Sequence, residues 1–191
     1  RLKPLFRFAL ASFVVAMAMY YLVDYEMFAV LTDQVSAEHE IGQFYGNFIA
    51  ALYVGSLLAS LLANRLFTRL GLGLTSVLMG LLTVLVFVTI AISQPLPGIL
   101  AILVTSDIVM DILAFTLVPT ISQFYFKLLP ERSRAAAGLL YAGAINSGGK
   151  LISSAFSGLH ARGLVSLLGL SMIGLIFSGL YLAWSRKQKK H

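Results

Sequence analysis

The sequence predicts an all-α, polytopic membrane protein with six transmembrane helices. Three observations carry that expectation. Hydrophobic residues make up 59% of the 191 and charged residues 12%, about half the charged fraction of an ordinary soluble domain. Six segments reach the roughly 20 mostly apolar residues that a bilayer-crossing helix needs. The basic residues between those segments fall almost entirely on one side of a six-helix arrangement, as the positive-inside rule demands.

The elements follow in order. A basic lead-in with Arg1, Lys3 and Arg7 precedes helix 1, from about Leu5 to Leu31. The polar stretch Thr32 to Gln43 leads to helix 2, from about Phe44 to Ala63. A basic loop with Arg65 and Arg69 leads to helix 3, from about Leu72 to Ile92. The Pro-marked turn Ser93-Gln94-Pro95-Leu96-Pro97 separates it from helix 4, which starts near Gly98 and continues past Pro119 to Phe126. Lys127, Arg132 and Arg134 lie before helix 5, from about Ala135 to Leu159. Helix 6 runs from about Leu164 to Trp184, before a tail with Arg186, Lys187, Lys189 and Lys190. One six-helix membrane domain therefore covers 1–191, with no soluble domain and no internal repeat.

Of the 14 Lys and Arg, twelve lie on one side, Arg162 lies on the other, and Lys150 lies within a span. Both termini are expected in the cytoplasm. The basic tail reads as an orientation signal and lipid contact. The net charge of +6 is thereby assigned to membrane orientation and not to nucleic acid. The chain opens on Arg1 without a secretory cleavage site, as a processed start or a piece of a longer chain would. Cysteine is absent and His39, His160 and His191 have no ligand spacing, so no metal or other cofactor is expected. No nucleophile–base pair stands out, and the chain is not expected to be an enzyme.

Five ionisable residues interrupt the apolar spans: Asp24, Glu26, Asp107, Asp111 and Lys150. A charge at a bilayer centre costs about 2.5–3.5 kcal/mol on insertion scales, so such residues face a pathway, a site or one another. Asp107 and Asp111 are one turn apart on helix 4 and share a face. At 1.5 Å per residue Asp107 lies roughly 13 Å from the helix start, near mid-membrane, and Lys150 reaches about the same depth on helix 5. Asn146 shares its face one turn away. Asp24 and Glu26 lie nearer the outer end and suit either a site or a solvated cap. The cluster reads as a substrate or coupling-ion site, with Lys150 on an anion and a carboxylate on a proton or cation. A structural ion pair between Lys150 and Asp107 or Asp111 is the competing expectation.

Gly143-Ala144-Ile145-Asn146-Ser147-Gly148-Gly149-Lys150 superficially suggests a phosphate loop. The glycine spacing is wrong and Leu151 stands where Ser or Thr is required. Close helix packing or a local break in helix 5 accounts for these glycines. Gly169, Gly174 and Gly179 read as a packing face of helix 6. Tyr20, Tyr21, Tyr25 and Trp184 suit interfacial or cavity positions.

Ala63-Asn64-Arg65-Leu66-Phe67-Thr68-Arg69-Leu70-Gly71 resembles a degenerate form of the basic turn between the second and third helices of each half of the major facilitator superfamily. Asn64 stands where that family prefers Asp. Val23-Asp24-Tyr25-Glu26-Met27-Phe28, Ile41-Gly42-Gln43-Phe44-Tyr45-Gly46-Asn47-Phe48 and Leu129-Pro130-Glu131-Arg132-Ser133-Arg134-Ala135 are similar to the second half of its ATP/ADP translocase (nucleotide transporter) branch and the uncharacterised bacterial relatives of that branch. The resemblance implies helices 7–12 of a twelve-helix transporter, half of a facilitator-type bundle. A small anionic solute, such as a nucleotide, would then move by alternating access. Arg65, Arg69, Arg132 and Arg134 would belong to the cytoplasmic turns or gate. The second six-helix half would be part of the same chain, a second copy or another subunit. The alternative is a non-transporting scaffold or accessory subunit of a larger membrane complex. An ion channel is disfavoured, since no ring of like residues is visible.

Overall fold

A computed structural model describes residues 2–35, 38–94, 96, 98–127, 129–140, 143 and 145–188. Arg1, Pro95, Pro97, Ala144, Lys189, Lys190 and His191, which entered the sequence reading, lie outside the described residues. The described residues are helical or lie in short connections, with no strand among them. Seven α-helices follow in order: α1 (Leu2–Gln34), α2 (Glu38–Ser93), α3 (Ile99–Ile112), α4 (Val118–Lys127), α5 (Glu131–Leu140), α6 (Asn146–Ala161) and α7 (Leu167–Gln188).

Four helical stretches are long and apolar enough to cross a membrane: Phe13–Gln34, His39–Ala63, Gly73–Ser93 and Ile99–Thr120. Leu167–Ala183 is a shorter apolar stretch. The helix expected from Ala135 to Leu159 corresponds to α5 and α6, with Gly143 and Ile145 in wide π-type turns between them. Glycine weakens a helix interior by about 1 kcal/mol relative to alanine, and Gly143 falls at the wide turn.

The two helices expected with a loop between them are joined directly at a kink, with helix in place of the loop. The segment Ala63–Leu70 is helical, and the chain changes course only at Gly71. No proline or glycine lies between Ala63 and Leu70 to break the hydrogen-bond ladder. Gly71 adopts φ 71° and ψ 168°, a region essentially restricted to glycine. It divides α2 into an N-terminal and a C-terminal limb.

Helix α3 runs into α4 through a single π-helical turn, Leu113–Leu117. The Val118 N–H donates back to the Leu113 carbonyl. Pro119 is the local cause. It has no N–H for the Phe115 carbonyl four residues earlier, and its ring crowds that oxygen.

The core is organised around α1, which packs against α3, α4, α6 and α7. Ala18, Met19, Leu22, Val23, Met27 and Leu31 are fully enclosed. Helix α7 packs most extensively against α2. There a Cβ at Gly80 would lie 2.9 Å from the Leu182 Cα, and the Phe87 ring covers Gly174. The anticipated packing face of the last helix is thus realised at Gly174, while a Cβ at Gly179 would meet nothing within 4 Å. By contrast, Tyr53, Val54, Leu57, Leu58, Leu61 and Leu62 on the N-terminal limb of α2 are all exposed.

Candidate functional site

Two features meet along α1. The first is a buried acid cluster between α1 and α3. Asp107 is 1% exposed and Asp111 is buried beside it. Asp24 approaches from α1, one helical turn from Tyr20, near enough for its charge to act on Asp107 and Asp111. The Tyr20 hydroxyl approaches the Asp111 carboxyl. The Tyr20 ring also meets Phe115 edge-on, with centroids 5.1 Å apart. Tyr45 of α2 faces the same group, and its hydroxyl is buried without a hydrogen-bond partner. Neither carboxyl oxygen of Asp107 has a partner.

The second feature is an open groove of about 500 Å³ between α1 and α6. Tyr21, Asp24, Tyr25 and Phe28 line one wall, while Lys150, Ser153, Ser154 and Ser157 line the other. The walls are held together by a near-contact of two backbones. A Cβ on Gly149 would stand 2.5 Å from the Met17 Cβ and 3.0 Å from the Ala18 nitrogen. That approach brings Asn146 within reach of α1, and the Tyr21 hydroxyl donates to its Oδ1 at 2.6 Å. The Lys150 ammonium lies 5.4 Å from the Tyr21 ring centroid, a cation–π distance.

Asp107 and Asp111 are thus buried on α3, Asp24 on α1 lies within electrostatic reach of them, and Asn146 and Lys150 lie on the groove side of α1. Lys150 is exposed and makes no ion pair with Asp107 or Asp111. Its partner is an aromatic face. Glu26 stands apart from both features. It is wholly buried, and its Oε2 accepts from Ser171 Oγ at 2.9 Å and from Gln94 Nε2 at 3.4 Å. Gln94 Nε2 also lies 3.0 Å from Ser171 Oγ. This triad joins α1, the end of α2 and the start of α7. It rejects the solvated-cap expectation for Glu26, because no water-facing surface remains on that residue.

The basic residues lie elsewhere. Arg65 and Arg69 are exposed on the last turns of the N-terminal limb of α2, and Arg132 is exposed at the start of α5. Arg134 has a definite local role. Its guanidinium donates to the Leu129 and Lys127 carbonyls at 3.0 and 3.2 Å, closing the α4–α5 connection.

Several residues here escaped the sequence reading. Ser153, Ser154 and Ser157 follow Lys150 at three, four and seven residues, the period of one helical face. That spacing was available as a signal. Tyr45, Gln94 and Ser171 gave none, because only tertiary packing places them beside Asp107 and Glu26. Among the described residues no three His, Asp or Glu side chains are grouped to hold a metal ion. No family model, curated protein or solved structure matches the chain.

Proposed function

We propose that this chain is a six-helix, transporter-like membrane unit of facilitator type. It sits in a bacterial inner membrane with both termini cytoplasmic, and it moves a small anionic solute, such as a nucleotide, by rocking against a second six-helix half. The observation that carries the reading is the Lys150 ammonium: exposed in a groove, free of any carboxylate partner among the described residues, and flanked by three serine hydroxyls. An ammonium with adjacent hydroxyls supplies charge-assisted hydrogen bonds to an anion. The Tyr21 ring beneath it fixes its position without neutralising it. In a bilayer such a group needs water or protein in front of it, and not acyl chains. A facing six-helix half would enclose the groove and supply the second wall.

The apolar surface of the N-terminal limb of α2 supports membrane integration. The α5–α6 segment and α7 would supply the fifth and sixth spans. The lateral opening of the groove also suits a second reading, a scaffold subunit whose polar face is covered permanently by a neighbour. That protein would co-purify at fixed stoichiometry and gain no thermal stability from added solute.

The test is uptake of labelled nucleoside di- and triphosphates into proteoliposomes holding the protein with whatever partner co-purifies. Losing a charge-assisted hydrogen bond costs about 1.5–3 kcal/mol. Lys150→Ala should therefore lower solute affinity roughly 10- to 100-fold, and Lys150→Arg should retain most of it. Unchanged affinity in Lys150→Ala would remove Lys150 from the site.

A further inference from the structure

The acid cluster holds more negative capacity than its surroundings can support. Asp107 is faced by Asp111 on its own helix, by Asp24 and Tyr20 from α1, and by Tyr45 from α2. Every one of these groups is an acid or a phenol. Lys150 is turned to the groove and the Tyr21 ring. The Asp107 carboxyl is almost fully enclosed, yet neither oxygen receives a hydrogen bond. An ionised carboxylate in that setting has lost its hydration and gained no donor in return. Two neighbouring carboxyls add repulsion. A neutral carboxylic acid avoids both costs.

Asp24 gives this buried group a way out. It lines the open groove and lies one turn along α1 from Tyr20, which faces the cluster. It is the residue common to the groove and the cluster. We propose that Asp107 is a proton-binding site, neutral in the structure described, and that its proton is loaded and released through Asp24 at the groove. The proton bound at Asp107 is the coupling ion of the transport cycle, a use that rests on the transport reading above. Occupancy of the site by a proton does not rest on it.

Infrared spectroscopy of the full chain in lipid separates the two. A protonated carboxyl gives a C=O stretch distinct from carboxylate and amide bands, and it moves on deuteration. At neutral pH the protein should show such a band that disappears in Asp107→Asn. In Asp107→Glu it should return at a shifted position. Glu26→Gln should leave it in place. Asp24→Asn should also keep it, while slowing its deuterium exchange at least tenfold. If Asp107→Asn does not fold, the Asp107→Glu shift alone decides the assignment. A spectrum with no acid band belonging to residue 107 would overturn the proposal. So would loss of that band on adding sodium or potassium ions, which would make the site a metal-cation site. Exchange unaltered in Asp24→Asn would overturn the route. A band at Asp107 alongside unchanged solute affinity in Lys150→Ala would leave the proton site standing and dismiss the anion site.

Discussion

The contact that builds the groove is open to a quantitative test at Gly149. A Cβ there would lie 2.5 Å from the Met17 Cβ and 3.0 Å from both the Ala18 nitrogen and the Met17 carbonyl carbon. Carbon atoms in favourable contact stand about 3.5–4.0 Å apart. None of the three atoms can rotate away, because two belong to the backbone and the third is fixed to it. Gly149→Ala must therefore push α6 from α1 by about 1 Å. Overpacking of this kind costs about 1–3 kcal/mol. The same movement pulls on the 2.6 Å hydrogen bond from Tyr21 to Asn146, a further 0.5–1.5 kcal/mol or so. Alanine also gains about 0.8–1.0 kcal/mol over glycine in any helix, so a single variant would understate the clash. Gly46→Ala isolates that gain, because nothing lies within 4 Å of its Cβ position. The difference between the two variants should be about 1.5–4.5 kcal/mol, with Gly149→Ala the less stable. Reversible unfolding by SDS titration in mixed micelles measures it. Equal shifts in the two variants would refute the backbone-to-backbone packing of α6 on α1, and with it the placement of Asn146 and Lys150 beside Tyr21.

Two further outcomes follow from features away from the groove. Gly71→Ala forces a side chain into a backbone region that only glycine occupies freely. It should cost about 1–3 kcal/mol in the same titration, whereas no loss would mean that α2 does not turn at that residue. Ser171→Ala removes the closer donor to Glu26 and leaves Gln94 at 3.4 Å. It should destabilise by about 1–3 kcal/mol. A double-mutant cycle with Glu26→Gln that shows no coupling would dissolve the α1–α2–α7 triad.

The helical character of the chain was legible because apolar runs of about 20 residues have few alternatives. Boundaries were less so. A basic, polar stretch such as Ala63–Leu70 looks like a loop in sequence, but none of its residues prevents a helix from continuing. The shared face of Asp107 and Asp111 could be anticipated from helical phase. Depth and phase fix height and azimuth on each helix, and not which helices are neighbours. For that reason the ion pair between Lys150 and the helix 4 aspartates was a reasonable expectation that the packing does not realise. Helix α1 stands between them, with Tyr20 turned to the acids and Tyr21 to the lysine. Adjacent residues on a helix are about 100° apart, and this pair uses that angle to serve two surfaces at once.

The wide turn at Leu113–Leu117 bears on how such a cluster can change state. A π turn carries one residue more than the regular helix on either side of it, so its position along the helix is a variable separate from the ends. If it travelled one turn toward Ile99, the residues it passed would each advance about 1.5 Å and swing by about 100°. Asp111 lies two residues ahead of it. The passage would carry that carboxyl away from Tyr20 while α4 and the start of α3 stayed where they are. The Ile99–Lys127 stretch thus contains a dislocation beside Pro119, and a shift of that dislocation would re-aim one acid without sliding or tilting the whole span.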